Sequence, residues 1–371
     1  MKNSLFVPET MTRQNIRADF GSAASPLRIW LNHTYATNYW IAKMIKDNPD
    51  GMPVVLLTTG KNPLSPVLQA GDYMEIEPPG EVVGDEYVDW TLDFARQHNV
   101  DVFIPMREIG AIAARVAEFN AFGTNVLVSP PSSIDLLEDK NLAYETCKEL
   151  GIAIPPWRVA TGAHEMLNAY NSLQDEIGTT ETVCIKPVQG VGATGFRRIT
   201  NRKPDLDSLL LKPQEEVSLD SLLAILQTAE DNSQQIPEYM LMPYLDEPEI
   251  SFDCLSDYDG ALITSVSRSK NGKIRSLTNK PMDAAKIVHQ ICDAFSLAYL
   301  TNTQIRWYHG QPVLLETNTR ISGGMYAASL GGLNFPWEAI KLSLTGKTSE
   351  DVHRDVDLSY TSVSSVVRFR D

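Results

Sequence analysis

From Leu27 onward, the hydrophobic positions of the chain fall in short runs that alternate with segments of helical spacing. The strand-like runs include LRIWLNHT, PVVLLTTG, VDVFIPM and NVLVSP, and helical segments such as TNYWIAKMI and IGAIAARVAEF lie between them. Short apolar runs separated by helices are typical of a parallel sheet. The pattern therefore predicts an open α/β domain over roughly residues 28–130.

Polar residues follow two of these predicted strands. Ligands of open α/β sheets usually lie beyond the carboxyl ends of the strands. That rule points to Asn32, His33 and Thr34 after the first strand, and to Arg107 and Glu108 after VDVFIPM. We expect candidate ligand contacts at this edge of the domain.

The second half of the chain has a different pattern. SSIDLLEDKNLAYETCKELG predicts one or two helices, and the two prolines of GIAIPPW then lead into a new lobe. The strands that we expect to be antiparallel are TVCIKPV, GFRRIT, EYMLMPYL, EISFDCL, ALITSVSRS, TNTQIRWY and PVLLETN. Two further helices are predicted in SLDSLLAILQTAE and DAAKIVHQICDAFSLAYL, the second with an apolar face that packs on a sheet.

Length and charge narrow the class of protein. A chain of 371 residues with 43% hydrophobic and 21% charged residues is expected to form two or three globular lobes. Its 32 basic and 47 acidic residues give a formal charge of -15, which repels nucleic acid and anionic membrane surfaces. Any phosphate binding must then depend on a local basic site.

Cysteine spacing and apolar runs indicate the compartment. The four cysteines are far apart with no C-x-x-C pair, which is typical of reduced core thiols. Residues 1–27 lack the apolar core of a signal peptide, and no apolar run approaches the roughly 20 residues that span a bilayer. We expect a cytoplasmic protein without membrane partners.

The run LLETNTRISGG carries the most informative chemistry. Glu316 and Asn318 point to the same side of a strand, and Arg320 follows on that side. Magnesium takes hard oxygen ligands and is usually held by one or two carboxylates, with phosphate and water completing its coordination. The run predicts a site for a magnesium-bound polyphosphate.

Gln304 is the candidate cross-strand partner of Glu316 in the predicted hairpin TNTQIRWYHGQPVLLETN. A simple two-residue turn would place Gln304 opposite Leu315, so the metal hypothesis requires an odd-numbered loop or a bulge. If Gln304 and Glu316 lie on opposite faces, Gln304 is not a ligand. The alternative for Gln304 is an ordinary exposed amide.

The glycines of IKPVQGVGATGF, at positions 190, 192 and 195, match the dinucleotide pattern G-x-G-x-x-G. The strand-like FRRIT follows them, so no helix is available to bind a pyrophosphate, and no Gly-Lys-Ser/Thr follows for a Walker A loop. We interpret Gly190, Gly192 and Gly195 as a flexible hairpin that covers ATP phosphates, with Lys186 at its entrance. The alternative is an ordinary glycine-rich surface hairpin.

Two further segments have candidate nucleotide contacts. In MPYLDEPEISFD, Met242, Tyr244 and Leu245 could form an apolar slot for adenine, and Glu249 could accept from ribose hydroxyls. Acidic residues near a strand are also often merely solvated. In SRSKNGKIRSLTNK, the Asn-Gly pair predicts a tight turn with solvated lysines at its tip, whereas Arg268 lies deeper and is expected to contact a phosphoryl group.

These pieces, in this order, resemble the ATP-grasp superfamily from about residue 28 onward. The positions that carry the resemblance are Lys140, Lys186, Glu249, Gln304, Glu316 and Asn318. The resemblance implies that both lysines hold the α- and β-phosphates of ATP, that Glu249 binds the ribose, and that the last three residues lie at the metal. Position 304 is Gln where relatives often have a carboxylate, which lowers the negative charge at the metal.

The resemblance also implies a domain organisation. Residues 1–27 are an extension, residues 28–130 a Rossmann-like pre-ATP-grasp α/β domain, and residues 131–371 the ATP-grasp domain. Within the last, a glycine-loop lid lobe would span about 155–243 and an antiparallel metal and nucleotide lobe about 244–371. The spacing is most similar to the carboxylate-amine ligase and carbamoyl-phosphate-synthase-like branches.

An ATP-dependent carboxylate ligase is the activity that the resemblance implies. ATP would phosphorylate a small-molecule carboxylate to an acyl phosphate, and an amine would then displace phosphate, with ADP as the other product. Arg268 and Arg320 would contact the transferred phosphoryl group and the acyl phosphate. One or two Mg²⁺ ions are expected, with Mn²⁺ as a substitute. No nucleic-acid partner is expected, and a homodimer is compatible with the resemblance. The alternative is a regulatory or scaffold protein that binds ATP without turnover.

Overall fold

The computed structural model describes residues 25–32, 35–190, 194–200, 215–363 and 365–369. The chain divides into two compact units. The first unit comprises Met1–Asp135, Pro248–Ile305 and Glu316–Asp371, and the second unit comprises Leu136–Glu247 and Arg306–Leu315. Each unit has its own buried apolar clusters.

The first unit begins with a parallel five-stranded sheet in the order β3-β2-β1-β4-β5. Its strands are β1 (Leu27–Leu31), β2 (Val54–Gly60), β3 (Tyr73–Ile76), β4 (Val102–Ile104) and β5 (Asn125–Val126). The helices of this region are α1 (Tyr39–Lys46), α2 (Gly84–Gln97), α3 (Ile109–Ala114), α4 (Val116–Asn120) and α5 (Pro131–Glu138). The prediction of a parallel α/β domain is confirmed.

Both faces of this sheet are buried because successive side chains of β1 point to opposite sides. Ile29 and Leu31 belong to one apolar cluster, and Trp30 belongs to the other. The Trp30 ring stacks on Phe103 of β4 with 3.9 Å between ring centroids. This double burial explains why β1 and β4 have nearly continuous apolar sequences.

The second unit contains a five-stranded sheet in the order β6-β10-β7-β8-β9. Its strands are β6 (Arg158–Ala160), β7 (Val183–Pro187), β8 (Arg197–Ile199), β9 (Glu216–Val217) and β10 (Tyr239–Pro243), and its helices are α6 (Lys140–Glu149), α7 (Ala163–Ile177) and α8 (Leu219–Asp231). The pairs β10–β7 and β7–β8 are antiparallel as expected. The short strands β6 and β9 were not predicted, and β6 pairs antiparallel with β10 whereas β9 pairs parallel with β8.

The alternation of β10 separates two apolar clusters in this unit. Leu241 packs with residues of α7 and α8, while Met240 and Met242 pack in a second cluster with Tyr144 and Val188. All five of these residues are buried. The face that carries Met240 and Met242 also carries Lys186, which pairs with Met240 across the two strands.

The first unit also contains most of a six-stranded sheet in the order β15-β14-β11-β12-β13-β16. Its strands are β11 (Asp246–Ser256), β12 (Leu262–Asn271), β13 (Ile274–Thr278), β14 (Tyr299–Tyr308), β15 (Gln311–Asn318) and β16 (Asp357–Tyr360), with helices α9 (Ala285–Phe295) and α10 (Phe335–Thr345). The pairs β11–β12, β12–β13 and β13–β16 are antiparallel, which confirms the predicted change from parallel to antiparallel pairing.

Two predicted helices differ from the observed ones at their ends. IGAIAARVAEF is divided at Arg115 into α3 and α4. The helix predicted over DAAKIVHQICDAFSLAYL stops at Phe295 because Ser296 adopts a left-handed conformation with φ of 46°, and Tyr299 already begins β14. Helical spacing alone does not reveal such a stop, since SLAYL continues the apolar pattern.

Three short 3-10 helices complete the described elements, at Ala36–Asn38, Met325–Gly331 and Glu350–His353. All four cysteines are free and buried, in agreement with the prediction of core thiols. Burial raises the pKa of Cys147 to about 12, so this thiol is poorly suited to act as a nucleophile. Among the residues that the structure describes, none of the helices combines the length and the apolar character required to cross a membrane.

Candidate functional site

Glu316 and Asn318 lie on one side of β15. The Asn318 Nδ2 donates to Glu316 Oε1 at 3.4 Å. On the neighbouring strand β14, Gln304 Nε2 donates to Asn302 Oδ1 at 3.4 Å, so these two amides also share a face. Residues two apart in each strand thus form two polar rows.

The turn between these strands contains two residues. Strand β14 ends at Tyr308 and β15 begins at Gln311. The turn residues His309 and Gly310 have positive φ values of 49° and 75°, as hairpins with two-residue turns of this kind require. Continued without interruption, this turn would place Gln304 opposite Leu315, on the wrong face for a metal ligand.

The buried threonines farther along the hairpin show a different register. The hydroxyls of Thr303 and Thr317 are 3.2 Å apart, so these two side chains share a face. Side chains alternate along each strand, and therefore Gln304 shares the opposite face with Glu316 and Asn318. A one-residue shift between the turn and the threonines accounts for this arrangement, as the metal hypothesis required. The metal-binding role of the three residues stays a prediction.

The donor set of this face fits magnesium bound together with phosphate. Gln304, Glu316 and Asn318 offer side-chain oxygens with only one carboxylate among them. Within the described ranges, no group of three or more His, Cys, Asp or Glu side chains could hold a metal ion. A cage made only of acids is thus not present there, whereas one or two carboxylates plus phosphate are what Mg²⁺ usually takes.

A buried ion pair lies at the centre of the same sheet. Asp253 of β11 is fully buried, and its carboxylate accepts from Arg268 of β12, with 2.5 Å between Arg268 Nε and Asp253 Oδ2 and 3.1 Å between Nη2 and Oδ1. The Arg268 Nη2 also donates to Ser251 Oγ at 3.2 Å and to Ser322 Oγ at 3.0 Å. The guanidinium is therefore held in a fixed orientation.

The carboxylate of Asp253 has further donors. Asn302 Nδ2 donates to Asp253 Oδ1 at 2.8 Å, and the Ser322 hydroxyl donates to the same oxygen at 2.7 Å. Because Gln304 in turn donates to Asn302, a continuous chain of hydrogen bonds links Gln304 to Arg268. The proposed metal face and the proposed phosphoryl contact thus belong to one network.

Electrostatics keep Arg268 charged despite its environment. Burial by itself lowers the pKa of a guanidinium, but the attraction and hydrogen bonds of Asp253 outweigh it and raise the pKa of Arg268 above its usual value. Sequence reasoning identified Arg268 but not the part played by Asp253 and Asn302. The period-two spacing of Ser251 and Asp253 on a strand that pairs with Arg268 could have revealed it.

Lys186 lies at the end of β7 in the second unit. Its side chain is largely buried, with 9% of the residue exposed. The Lys186 Nζ donates to the Leu315 carbonyl at 3.2 Å and lies 5.7 Å from the centroid of the Tyr144 ring. Leu315 immediately precedes Glu316 in the chain, so the ammonium is anchored to the strand that carries the candidate metal ligand.

Lys140 is the first residue of α6, where Asp139 caps the helix by accepting from two backbone N–H groups at its start. The Lys140 Nζ donates to the carbonyls of Val188 at 3.2 Å and Gly190 at 2.9 Å. Lys140 is therefore tied to the base of the glycine segment. Its predicted phosphate contact is untested, and Gly192 lies outside the described residues.

Gly195 could not be replaced without strain. Its φ is 78°, and a Cβ at this position would lie 2.7 Å from Pro187 Cγ. Both the left-handed conformation and the proximity of Pro187 disfavour any side chain. Gly190 also has a positive φ, of 140°.

We predict that Gly195→Ala destabilises the second unit by about 1–3 kcal/mol, because alanine brings both backbone strain and a steric clash. Urea denaturation measures the effect. Gly178→Ala is the matched control for strain without a clash, since Gly178 has a φ of 91° and nothing lies within 4 Å of its added Cβ. Equal losses for the two variants would contradict a contribution from Pro187.

The predicted adenine contacts lie around the end of β10. Met242 and Leu245 are buried in one apolar cluster. The half-buried Tyr244 ring faces two guanidiniums, with centroid distances of 5.3 Å to Arg198 and 5.5 Å to Arg306. Glu249, predicted to bind ribose, is a partly buried residue of β11 in the first unit. Adenine and ribose binding by these residues stay predictions.

Two polar residues at the edge of the parallel sheet have structural roles. Asn32 is fully buried, where its Oδ1 accepts from the Met106 N–H at 2.5 Å and its Nδ2 donates to the Tyr87 hydroxyl at 2.9 Å. Arg107 forms an ion pair with buried Glu77 at 3.3 Å and lies 4.2 Å from the centroid of the Tyr87 ring. These contacts hold the loops after the strands together, and the expected ligand contacts of Asn32 and Arg107 stay a prediction.

Glu108 also supports the backbone, since its Oε2 accepts from the Gly84 N–H at the start of α2 with a distance of 2.9 Å. His33 and Thr34 lie outside the described residues.

Arg320 is the remaining predicted catalytic residue. Its Nη2 donates to the Tyr35 hydroxyl at 2.9 Å, so the carboxyl end of β1 does reach the candidate site through Tyr35.

Comparison with known proteins shows which family this part of the chain is similar to. Residues 235–366 match the model of a family described as ATP-grasp in the biosynthetic pathway with Ter operon. These residues include β10 to β16 and with them both the candidate metal face and the Asp253 network. No curated protein matches the sequence.

Several solved structures share the fold. An L-amino acid ligase from Bacillus licheniformis has a TM-score of 0.61 and 13% identity, covering 90% of this chain and 79% of its own. An N5-carboxyaminoimidazole synthetase from Staphylococcus aureus has a TM-score of 0.59 and 14% identity over 92% and 80% of the two chains. A biotin carboxylase from Campylobacter jejuni has a TM-score of 0.60 and 15% identity over 88% and 73%.

At these identities the likeness to solved structures concerns the fold. It covers about nine tenths of the chain. The family match covers the sheet with the candidate site independently. The chain is thus similar to an ATP-grasp family over residues 235–366 and shares its fold with these solved structures over about nine tenths of its length.

Proposed function

We propose that this protein is an ATP-dependent ligase that activates a carboxylate as an acyl phosphate and joins it to an amine, with ADP and phosphate as products. The observation that carries the proposal is the single polar face of Gln304, Glu316 and Asn318, linked by hydrogen bonds to the fixed guanidinium of Arg268. Oxygen donors and a held cation are what transfer of a phosphoryl group requires. The C-N ligases among the proteins of the same fold support the same class of reaction.

Binding of the nucleotide is assigned to residues of several elements. Lys140 and Lys186 neutralise the α- and β-phosphates, and backbone N–H groups of the glycine segment cover them. Met242 and Leu245 provide apolar contacts to adenine together with Tyr244. Glu249 accepts from the ribose hydroxyls, which its carboxylate can do at two oxygens.

Magnesium, or manganese in its place, would be held by Gln304, Glu316 and Asn318. When bound, the ion neutralises phosphate oxygens and so favours attack at the γ-phosphorus. The single carboxylate of this set is compatible with one tightly held ion.

The chemistry then needs two displacements. A carboxylate oxygen of the substrate attacks the γ-phosphorus, and the bond from that phosphorus to the bridging oxygen of ADP breaks. Arg268 and Arg320 absorb the charge of the transferred group, since positioned cations lower the cost of developing charge. An amine nitrogen next attacks the acyl carbon, phosphate leaves with the electron pair of the C–O bond, and the nitrogen loses a proton to give the amide.

A release assay for ADP tests the proposal. Carboxylic acids and amines are supplied in pairs with ATP and magnesium, and each partner is omitted in turn. The proposal expects ADP and phosphate in equal amounts, ADP formation that depends on the acid, and an amide product detected by mass spectrometry. Release of AMP would contradict it, and ATP binding without turnover for every pair would favour a regulatory or scaffold protein.

We predict that Lys186→Ala weakens ATP binding by about 1.5–3 kcal/mol, because the variant loses a charge-assisted contact to phosphate. Isothermal titration with a non-hydrolysable ATP analogue measures the change. Lys270→Ala removes the same charge from the exposed tip of the β12–β13 hairpin and is the matched control. Equal affinity of the Lys186→Ala and Lys270→Ala variants would remove the phosphate assignment.

A further inference from the structure

Two segments of the first unit meet beside Arg320. They are residues 35–40, which follow β1, and residues 320–326, which follow β15. Besides the hydrogen bond to the Tyr35 hydroxyl, the Arg320 guanidinium lies 5.0 Å from the centroid of the Tyr35 ring. One aromatic ring therefore contacts the guanidinium that the proposed mechanism places at the acyl phosphate.

Packing holds the two segments together at further points. A Cβ on Gly323 would lie only 2.8 Å from Thr37 Oγ1, so the Thr37 side chain packs closely against the backbone of Gly323. The rings of Trp40 and Tyr326 have centroids 6.5 Å apart, and Trp40 also packs edge-to-face on Tyr39 at 5.3 Å. The directions of these rings are consequently set by contacts from both segments.

The rings are nonetheless accessible to solvent. Tyr35 is 43% exposed and Trp40 is 42% exposed, while Tyr326 is partly buried. A small-molecule site combines apolar area with a few polar groups that fix the orientation of the ligand. Here the exposed aromatic faces provide the apolar area, and the Arg320 guanidinium is the polar group. The guanidinium selects a carboxylate because its N–H groups match two carboxylate oxygens.

The position of Arg320 and the exposed rings suits binding of the acid that is to be phosphorylated. Arg320 follows Asn318 by two residues, next to the candidate metal face. Tyr35 and Trp40 lie beyond the carboxyl end of β1, where ligands of open parallel sheets bind. An acid whose carboxylate pairs with Arg320 would extend its remaining atoms over the exposed rings.

We propose that Tyr35, Trp40 and Tyr326 select a carboxylic acid with an aromatic side group, such as an aromatic amino acid, as the carboxylate substrate. This inference rests on the proposed ligase function. The carboxylate pairs with Arg320, and the ring packs on Tyr35 and Trp40. A small aliphatic acid makes the first contact and leaves the aromatic side chains in water.

The test compares matched acids that differ in the ring alone. ADP release is measured for two pairs of acids. The first pair is 3-phenylpropionate and propionate, and the second is L-phenylalanine and L-alanine. Hydroxylamine is added to trap the acyl phosphate as a hydroxamate. We expect kcat/KM to be at least about tenfold higher for the aromatic member of one of these pairs, from burial of the ring and its stacking. Equal values within both pairs would overturn the inference while leaving the ligase function intact.

Variants separate ring recognition from general damage. Trp40→Leu should lower kcat/KM for the aromatic acid roughly tenfold and change that for the small acid by less than about twofold. Tyr35→Leu also removes the hydrogen bond to Arg320, so it should slow both acids and the aromatic acid more. Tyr73→Leu, which replaces a ring of similar exposure (38%) on β3, is the matched control. If the variants slow both acids equally, the rings are structural and the inference fails.

If no acid releases ADP, the ligase proposal itself has failed. A binding measurement then tests the aromatic acid site alone. Titration of 3-phenylpropionate is then followed by tryptophan fluorescence. Saturable quenching that is lost in Trp40→Leu, with an unchanged circular dichroism spectrum, would still support an aromatic acid site. The absence of binding to the wild-type protein would overturn it.

Discussion

Replacing Glu316 by alanine should abolish ADP formation and leave the fold intact. Glu316 is the single carboxylate among the three oxygen-bearing side chains of the candidate metal face, so its loss removes the charge that attracts the ion. We expect a fall of about 10²–10³-fold or more in kcat, similar to the removal of a group that stabilises developing charge. The residue is only partly buried, and its removal leaves no large cavity.

The measurement combines ADP release with a magnesium titration. Glu316→Asp retains the carboxylate and should recover part of the activity at raised magnesium concentrations. Glu350→Ala removes an exposed acid from a 3-10 helix and serves as the control for the change in net charge. Turnover of Glu316→Ala at the wild-type rate would remove the metal assignment.

Replacing Asp253 by leucine should destabilise the protein by about 3–5 kcal/mol, because it leaves the guanidinium of Arg268 buried without its counter-charge. Asn302 and Ser322 would lose their acceptor at the same time. Urea denaturation followed by circular dichroism measures the loss. ADP release should also fall, since Arg268 would no longer be held in its orientation.

The double variant Asp253→Leu with Arg268→Met distinguishes the ion pair from simple loss of packing. Replacing both charges by apolar groups of similar size should restore most of the stability, as happens when buried ion pairs are replaced together. The activity should not return, because the cation assigned to the phosphoryl group is missing. A loss below about 1 kcal/mol in Asp253→Leu would show that the pair is not a buried, mutually dependent one.

Local sequence was sufficient for the type of many elements, whereas the short strands β3, β6, β9 and β16 were not predicted. The apolar runs around Ile29 and Phe103 predicted strands of a parallel sheet, and the change to antiparallel strands after GIAIPPW was also correct. The same holds for the spacing of Glu316 and Asn318, since alternation along one strand requires no knowledge of its neighbours. Helix ends were harder to predict from the sequence. Ser296 shows this, because nothing in the local sequence requires its left-handed conformation.

Contacts between distant segments decided the site. Arg107 and Asn32 stood at the predicted edge of the sheet, yet Glu77 and Tyr87 bury them in a structural network. Arg268 became a fixed cation only through Asp253 of the neighbouring strand. Such pairings depend on which strands become neighbours, and that depends on the packing of whole sheets.

Sequence by itself thus determined the type of many strands and helices, the acidic net charge, and the row of Glu316 and Asn318. Tertiary structure decided that Gln304 joins that row, through a one-residue shift that the contact of Thr303 with Thr317 reveals. It also decided that Tyr35 meets Arg320, across 285 positions of the chain. The physical reason is that alternation and helical spacing are local properties, whereas register and burial arise only when distant segments pack.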